Sequence, residues 1–208
     1  MKKTDIKNFV QILKDTYPDA TCSLDFKTPF QMVVAVMLSA QCTDERVNKT
    51  TPVLFERCKT IQDFANISLA ELEDIIHPCG FYKNKAKNIK LCAKQVLENF
   101  GGKVPQSMDE LLTLAGVGRK SANVILLEAF GISNGIAVDT HAKRISNRLG
   151  LSSEKEPEKI EQDLLKIFPK ENLKDINHLF VWHGRKTCDA RKPRCEECTI
   201  KKYCKYIS

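Results

Sequence analysis

Hydrophobic positions recur along most of this chain with the period of an α-helix. The clearest case is the N-terminal segment, where the spacing i, i+3, i+4, i+7 is filled by Ile6, Phe9, Val10 and Leu13. This helix is expected to end before Tyr17-Pro18, because a proline disfavours helical backbone at the residue that precedes it. Sustained alternation with period two, the pattern of a half-buried strand, does not occur. The sequence therefore predicts an all-α protein.

Start and stop signals divide the pattern into about ten helices. Pro29 suits a first helical position, and two serines, Ser68 and Ser107, are each followed by a glutamate three residues later, as in a capping box. Gly101-Gly102 marks a helix end. There is no internal repeat and no low-complexity linker. The helices with the clearest signals are predicted at 29–38, 68–76, 86–100, 119–130, 140–149, 157–168 and 175–183.

Charge and hydropathy narrow the class of protein. The longest apolar run, at positions 33–38, is too short to cross a membrane, and the N-terminal residues lack an apolar signal core. We therefore expect an intracellular protein with no membrane partner. The net charge is +7, and the segment 183–208 holds eight Lys or Arg against three Asp or Glu. A basic C-terminal segment favours a polyanion as partner.

Four cysteines lie within this basic segment, in the order Cys188, Cys195, Cys198 and Cys204. Zinc sites usually contain two close Cys pairs, whereas only one such pair is present here. A cubane iron–sulfur cluster, held by one thiolate per iron, suits the uneven spacing better. Zinc, two disulfides and four unrelated thiols remain as alternatives, the disulfides being disfavoured in a reducing compartment. The expected cofactor is a [4Fe-4S] cluster.

A glycine-containing connection is the second candidate for chemistry. It reads Leu114-Ala115-Gly116-Val117-Gly118-Arg119-Lys120 and joins two predicted helices. Gly116 and Gly118 allow backbone amides to approach an anion closely at the N-terminus of the next helix, where one phosphate of a nucleic acid would fit. A Gly-x-Gly sequence is also often only a tight helix–helix turn, and a lone lysine is most often a solvated surface residue.

Farther along the chain, Ile136-Ala137-Val138-Asp139-Thr140-His141 runs from an apolar segment into a helix start. Asp139 suits an N-cap, since its carboxylate can accept hydrogen bonds from backbone amides. A carboxylate there could also stabilise a developing positive charge, so the two interpretations are compatible. His141 is either a packed helix residue or a donor in a pocket.

Taken together, these segments resemble the endonuclease III family of helix-hairpin-helix DNA glycosylases. The hairpin through Lys120-Ser121-Ala122, the sequence Val138-Asp139-Thr140-His141 and the four cysteines carry the resemblance, which runs from about residue 20 to Tyr206. Leu38-Ser39-Ala40-Gln41 and Val47-Asn48-Lys49 match as well. Three positions depart from the family pattern: Ala115 stands where proline is usual, Phe81 where leucine is typical, and Ser121 where threonine is common.

The resemblance implies a role for each matching residue. Lys120 and Asp139 would be catalytic, Gln41 would fill the space of an extruded nucleotide, and Phe81 would be a wedge in the opposite strand. Without the family, Gln41 reads as a loop glutamine and Phe81 as a core residue. The remaining expected DNA contacts are Gly116, Gly118, His141, Lys192 and Arg194.

The implied architecture has two helical domains flanking a DNA-binding cleft. One is a helical barrel at 22–132 with the hairpin, and the other is a discontinuous iron–sulfur domain at 1–21 and 133–208. The expected activity is removal of oxidised pyrimidines from duplex DNA with abasic-site β-lyase action, by a monomer in the cytoplasm at the nucleoid. An adenine-specific mismatch glycosylase and a non-catalytic iron–sulfur DNA sensor are the alternatives. Lys120 and the early end of the sequence after Cys204 favour the first activity over the mismatch glycosylase.

Overall fold

The computed structural model describes Lys3–Ile207, with side chains from Asp5 onward. This part of the chain contains α-helices and short 3₁₀ segments and no β-strand, which confirms the all-α prediction. None of its helices is long and apolar enough to cross a lipid bilayer. The helices are α1 (Lys3–Thr16), α2 (Pro29–Ser39), α3 (Asp44–Arg57), α4 (Ile61–Asn66), α5 (Leu69–Ile76), α6 (Tyr82–Phe100), α7 (Met108–Leu112), α8 (Arg119–Phe130), α9 (Thr140–Leu149), α10 (Pro157–Ile167) and α11 (Leu173–Lys186).

Two helices were not predicted. In α3 a proline, Pro52, lies in the helix interior, and two threonines occupy places of the buried stripe formed by Val47, Thr50, Thr51 and Leu54. Polar residues in these places hide the helical period from a search for apolar residues. The short helix α4 begins with a complete capping box, in which the Thr60 hydroxyl accepts from the Asp63 amide and the Asp63 carboxylate accepts from the Thr60 amide.

The two predicted capping boxes form only in part. Ser68 caps α5 by accepting a hydrogen bond from the Glu71 amide. The Glu71 carboxylate, however, binds the Arg57 guanidinium of α3 instead of returning to the Ser68 amide. Ser107 likewise accepts from the Glu110 amide at the start of α7. The helix starts were therefore predicted correctly, although their reciprocal bonds were not.

The described chain divides into two compact units, one from Ser23 to Ile132 and the other made of the segments up to Cys22 and from Ser133 onward. The continuous unit contains α2 to α8. Its long helix α6 packs against α4 and α5, and α2 packs against α8. Helix α2 is buried along most of its length, from Phe30 to Leu38, and forms the centre of this core.

The discontinuous unit contains α1 and α9 to α11. Helix α11 packs against α9 and α1, and α10 packs against α9. Three fully buried phenylalanines, Phe9, Phe168 and Phe180, pack their rings against one another in its core, with centroids 6.1 to 6.4 Å apart. Tyr203, from the C-terminal segment, packs edge-on against Phe9 at 5.4 Å. The segment that carries the four cysteines is thereby attached to the core of this unit.

Candidate functional site

The four C-terminal cysteines line one cavity in the discontinuous unit. All nine cysteines of the chain are free thiols, and these four are half-buried. Apolar side chains, among them Ile145, Leu149 and Ile200, form much of the remaining wall. Within Lys3–Ile207 no group of three or more His, Cys, Asp or Glu side chains is placed to hold a single metal ion. The four thiols, Cys188, Cys195, Cys198 and Cys204, thus line a cavity and do not converge on the position of one metal ion.

Two arginines of α9 hold the segment that follows α11. The Arg148 guanidinium donates to the Cys188 sulfur at 3.2 Å and to the carbonyls of Asp189 and Ala190 at 2.7 and 3.0 Å. Arg144 donates to the Cys188 carbonyl through both Nε, at 3.0 Å, and Nη2, at 2.9 Å. Sequence reasoning missed both residues. Their spacing of four places them on one face of α9, and that was the available signal.

A buried histidine adjoins the same cavity. The His183 Nε2 atom lies 3.9 Å from the Cys198 sulfur, and its Nδ1 atom lies 2.9 Å from the Tyr17 hydroxyl. Burial, assisted by the Arg144 guanidinium, lowers the pKa of His183 to about 4. Burial also raises the pKa of the Cys198 thiol, and its three cysteine neighbours act in the same direction. His183 is therefore a neutral, fixed part of the wall.

This donor set fits a [4Fe-4S] cluster. Four free thiols face one largely apolar cavity, and a guanidinium hydrogen-bonds one of the sulfurs, which would partly balance the net charge of −2 of a thiolate-ligated cluster. The side chains that would hold the cluster are Cys188, Cys195, Cys198 and Cys204.

The glycine hairpin lies between α7 and α8 in the continuous unit. The Val117 amide donates to the Leu114 carbonyl at 3.1 Å, which closes a four-residue turn. At the third turn position, Gly116 has a φ of +78°, and an added Cβ would lie 3.0 Å from the Asn88 Cβ on α6. Gly116 is therefore required both by its backbone conformation and by its neighbour. Gly118, in contrast, has an ordinary extended backbone and nothing within 4 Å of a Cβ.

Lys120 is the second residue of α8, immediately after this hairpin, and its side chain is exposed. No side chain caps the N-terminus of α8, and its cap residue Gly118 is exposed as well. The first turn of the helix thus presents backbone amides at the surface beside the lysine. Such an end carries a partial positive charge and suits an anion.

Asp139 is the N-cap of α9, as predicted, and its Oδ1 atom accepts a hydrogen bond from the Ala142 amide at 2.7 Å. His141 follows in the first turn, half-buried, with Nδ1 3.1 Å from Arg144 Nη2. Burial lowers the pKa of His141, and Arg144 adds to this effect while Asp139 opposes it. The same imidazole packs so closely on Gly184 that a Cβ there would lie 2.6 Å from Nδ1. In the free protein His141 is thus packed against Gly184 of α11, as in the first of the two interpretations that the sequence offered.

Gln41 and Phe81 share a conformation that side chains rarely adopt. They are the non-glycine residues of Lys3–Ile207 with positive φ, +53° at Gln41 and +48° at Phe81. Both are exposed, and 64% of the Phe81 surface is accessible to solvent, so the interpretation of Phe81 as a core residue is wrong. Strained backbone at exposed residues is common at functional sites.

One buried lysine, Lys85, which sequence reasoning missed, contacts the backbone a few residues before each of them. The Lys85 ammonium donates to the Leu38 carbonyl at 2.8 Å and to the Cys79 carbonyl at 2.9 Å. Leu38 lies at the end of α2, three residues before Gln41, and Cys79 ends the 3₁₀ segment His77–Cys79 two residues before Phe81. A single ammonium thus connects the two backbone segments.

Lys192 and Arg194 both lie exposed in the cysteine-containing segment. The Lys192 amide donates to Asp189 Oδ1 at 3.1 Å, and the Arg194 amide donates to the Thr187 carbonyl at 2.9 Å. The Arg194 guanidinium lies 3.8 Å from a Glu197 carboxylate oxygen in an exposed ion pair, the weaker kind. Both side chains are accessible to a large anion.

Comparisons with known proteins agree with this arrangement. The family model of the HhH-GPD superfamily base excision DNA repair proteins matches residues 34–170. The model of the iron-sulfur binding domain of endonuclease III matches residues 188–204, the span that begins at Cys188 and ends at Cys204. The [4Fe-4S] cofactor that the spacing predicted is confirmed by this match.

Curated relatives and solved structures cover nearly the whole chain. Endonuclease III of Synechocystis sp. is 51% identical over 98% of this chain and 93% of its own, and that of Escherichia coli K12 is 40% identical over 99% and 97%. A non-covalent endonuclease III–DNA complex matches with a TM-score of 0.92, covering 99% of this chain and 96% of that one. A trapped covalent endonuclease III–DNA intermediate matches with a TM-score of 0.93, covering 99% and 97%; both structures are 40% identical in sequence. The two alternative activities are not favoured. This chain belongs to the endonuclease III family of base-excision-repair DNA glycosylases with abasic-site lyase activity.

Proposed function

We propose that this glycosylase removes oxidised pyrimidines from duplex DNA and then cleaves the strand at the resulting abasic site, with Lys120 as nucleophile and Asp139 as its electrostatic partner. The observation that carries the proposal is the position of Lys120. Its exposed amine stands in the first turn of α8, next to a glycine hairpin whose amides suit a phosphate. A relative of the same fold, 40% identical, has been trapped in covalent linkage to DNA.

In this proposal the hairpin holds the DNA backbone next to the lysine. The uncapped N-terminus of α8 would bind one phosphate, with Gly116 and Gly118 permitting close approach. Contacts of this kind position the duplex and carry no sequence information. Lys192 and Arg194 would add further phosphate contacts from the discontinuous unit, and His141 would line the DNA-facing side of α9.

Lys120 supplies the covalent chemistry. The lone pair of its amine forms a bond to C1′ while the glycosidic bond breaks, and the damaged base leaves with the electron pair of the glycosidic bond and is then protonated. The nitrogen then loses a proton; its lone pair forms the C=N bond of an iminium ion as the C1′–O4′ bond breaks, and O4′ takes that bond's electron pair and a proton. The iminium acidifies the C2′ proton, whose removal expels the 3′ phosphate by β-elimination. Because Lys120 is exposed in the free protein, removal of water from its amine has to come from the bound DNA.

Asp139 acts through its charge in this scheme. As positive charge develops at C1′, a nearby carboxylate stabilises it, and the carboxylate can also take up the proton that the amine loses. The hydrogen bond from the Ala142 amide fixes the orientation of the carboxylate. An N-cap is a suitable place for such a group, because the helix end holds the carboxylate in one direction.

Extrusion of the damaged nucleotide falls to Gln41 and Phe81. A base within a duplex cannot be reached, so the nucleotide has to be flipped out, and the vacated stack has to be filled. Gln41 would fill the space left behind, and the exposed Phe81 ring would enter the opposite strand as a wedge.

The enzyme would act as a monomer in the cytoplasm, at the nucleoid. The cluster would have a structural role, since its four cysteine ligands leave no iron open and lie outside the segment from Lys120 to Asp139.

Two substitutions test the catalytic assignment. Lys120→Gln is expected to keep fold, cluster and DNA affinity while losing both base excision and borohydride trapping on duplex DNA that contains thymine glycol or an abasic site. Lys94→Gln, which removes an exposed lysine of α6, is the matched control and should trap normally. A Lys120→Gln protein that still became covalently linked to abasic DNA would refute the assignment.

Asp139→Asn separates the catalytic role from the capping role. Asparagine retains the shape of the side chain and much of the N-cap hydrogen bonding, so helix stability should barely change. DNA binding should also persist, whereas base excision should fall by several orders of magnitude. The opposite result, a loss of stability with full activity in the folded fraction, would leave Asp139 with a capping role alone.

A further inference from the structure

The side-chain amide of Gln95, in the middle of α6, makes two hydrogen bonds to the backbone of the glycine hairpin. Its Oε1 atom accepts from the Ala115 amide at 2.7 Å, and its Nε2 atom donates to the Thr113 carbonyl at 3.1 Å. These two backbone groups lie beyond the end of α7, where helical partners are no longer available. One half-buried side chain therefore satisfies a donor and an acceptor on successive peptide units of the hairpin.

The turn that Gln95 contacts has a defined type. It runs from Leu114 to Val117, is closed by the bond between their carbonyl and amide, and has Gly116 with a φ of +78° at its third position. A positive φ at that position is the mark of a type II turn, whose second position favours proline. Ala115 occupies that second position. The turn itself makes no use of the Ala115 amide, and a proline there would cost it no internal hydrogen bond.

We infer that Gln95 is a positioning residue for the hairpin, and that the Gln95–Ala115 hydrogen bond takes the place of the stiffness that a proline at position 115 would give. Proline limits a turn by fixing φ, whereas an alanine turn has to be held from outside. Gln95 holds it from α6, on the same side from which Asn88 abuts Gly116. The two residues lie seven positions apart on α6 and thus on one face of the helix.

The consequence concerns the first turn of α8. Residues 113 to 118 lead directly into it, so the hairpin backbone sets where the α8 amides and Lys120 point. Loss of the two Gln95 hydrogen bonds would leave the Ala115 amide and the Thr113 carbonyl without their partner, and the hairpin would populate other conformations. This inference rests on the proposed role of the hairpin and of Lys120 in DNA binding and covalent chemistry.

A double-mutant cycle between positions 95 and 115 tests it. The variants are Gln95→Leu, Ala115→Pro and the two combined, with Asn99→Leu, an exposed position of α6, as control. The measurement is the single-turnover rate of borohydride trapping on a duplex with one abasic site, at subsaturating enzyme. Gln95→Leu is expected to slow trapping roughly tenfold, the effect of about 1.4 kcal/mol on the competent hairpin population.

The combined variant decides the matter. Proline restores a restrained turn without needing the amide, so the double variant should return to within about threefold of the wild-type rate, a change of less than about 0.7 kcal/mol. Ala115→Pro alone should not speed trapping, because the proline ring would face the Gln95 oxygen that accepts from the Ala115 amide in the wild type. A general structural role of Gln95 would lower thermal stability, but trapping would not be rescued by a proline at position 115.

Each other outcome overturns the inference. If Gln95→Leu traps at the wild-type rate, or if its defect persists in the double variant, Gln95 does not position the hairpin. Should proline prevent folding, hydrogen exchange at the Ala115 amide replaces the double variant: the inference expects faster exchange in Gln95→Leu than in the wild type, and unchanged exchange would overturn it. Lys120→Gln is run alongside: if it abolishes trapping while the cycle shows no coupling, the proposed function stands and only the Gln95 inference fails.

Discussion

Replacement of Lys85 by methionine should destabilise the continuous unit and also impair extrusion of a damaged base. Lys85 is only 7% exposed, and its ammonium donates to the carbonyls of Leu38 and Cys79. Methionine keeps most of the apolar stem and removes the donors. The perturbation is therefore confined to two hydrogen bonds and one buried charge.

The magnitude follows from two opposing effects. Each carbonyl that loses a charged donor in a buried place costs about 1 to 3 kcal/mol. Against this, the folded protein no longer buries an ammonium, and the pKa of Lys85 is lowered by that burial. We expect a net loss of about 2 kcal/mol in the free energy of unfolding, or roughly 4 to 8 °C in Tm for a chain of this length.

The lowered pKa also gives the loss a pH dependence. Above the folded pKa of Lys85 and up to the ordinary lysine value, the unfolded chain keeps the proton that the folded chain has released. The unfolded state then binds more protons, and the stability of the wild type rises with pH relative to Lys85→Met. The difference between the two proteins should therefore widen across this alkaline range in urea unfolding.

A second lysine of α6 provides the matched control. The Lys90 ammonium also donates to two backbone carbonyls, those of Ala65 and Ile67 at the end of α4. Lys90→Met should cost a similar amount of stability. Lys85→Met alone, however, should slow excision from duplex DNA more than it slows cleavage of a ready-made abasic site, because it loosens the segments that carry Gln41 and Phe81.

Two results would contradict this reasoning. If both variants slow excision equally, the effect of Lys85 is one of general stability. If Lys85→Met leaves the unfolding free energy unchanged, recovered desolvation outweighs the two hydrogen bonds, and the carbonyls find other partners.

Further expectations concern single sites. Gly116→Ala should cost about 1 to 3 kcal/mol in urea unfolding, owing to its positive φ, whereas Gly118→Ala should be tolerated. Arg148→Met should leave the fold intact and speed the loss of iron and of visible absorbance on dilution into chelator, because the donor to the Cys188 sulfur is gone. Hydrogen bonds from the Thr60 backbone and side chain hold the pKa of Asp63 below its usual value, so the stability it provides is lost as the pH falls through that folded value. Asp63→Asn should accordingly flatten the acid limb of the pH–stability curve.

The sequence predicts the helices whose apolar residues recur with the helical period, and it misses those in which other residues interrupt that period. Helix α1 has an uninterrupted apolar stripe and was predicted with its end before Tyr17. Helix α3 was missed because Thr50 and Thr51 are buried where a stripe calls for apolar residues, and because Pro52 reads as a helix break. In the folded chain the Thr50 hydroxyl is satisfied by the Arg46 carbonyl one turn earlier, a solution that a pattern of apolar residues does not reveal.

The candidate site divides in the same way. Cys188 to Cys204, the hairpin and Asp139 carry local signals, namely ligand spacing, glycines and a capping residue, so the sequence alone could propose them. The positive φ of Gln41 and Phe81 carries no such signal, because neither residue type favours it. Nor does burial of Lys85, since a lysine is ordinarily exposed and only the folded chain supplies the two carbonyls.

These observations indicate that helix α6 supports the neighbouring segments, a role that its sequence does not predict. It begins directly after Phe81, contacts the ends of α2 and of the His77–Cys79 segment through Lys85, and contacts the hairpin through Gln95. Ten residues separate the two side chains, about 15 Å along a rod that bends little. A rigid helix at that spacing keeps three segments, those of Gln41, Phe81 and the hairpin, which the proposed function places at the DNA, in a fixed relation to one another. Lys85 and Gln95 make these contacts to the backbone atoms of Leu38, Cys79 and Ala115, so the contacts do not depend on the side chains that the segments display.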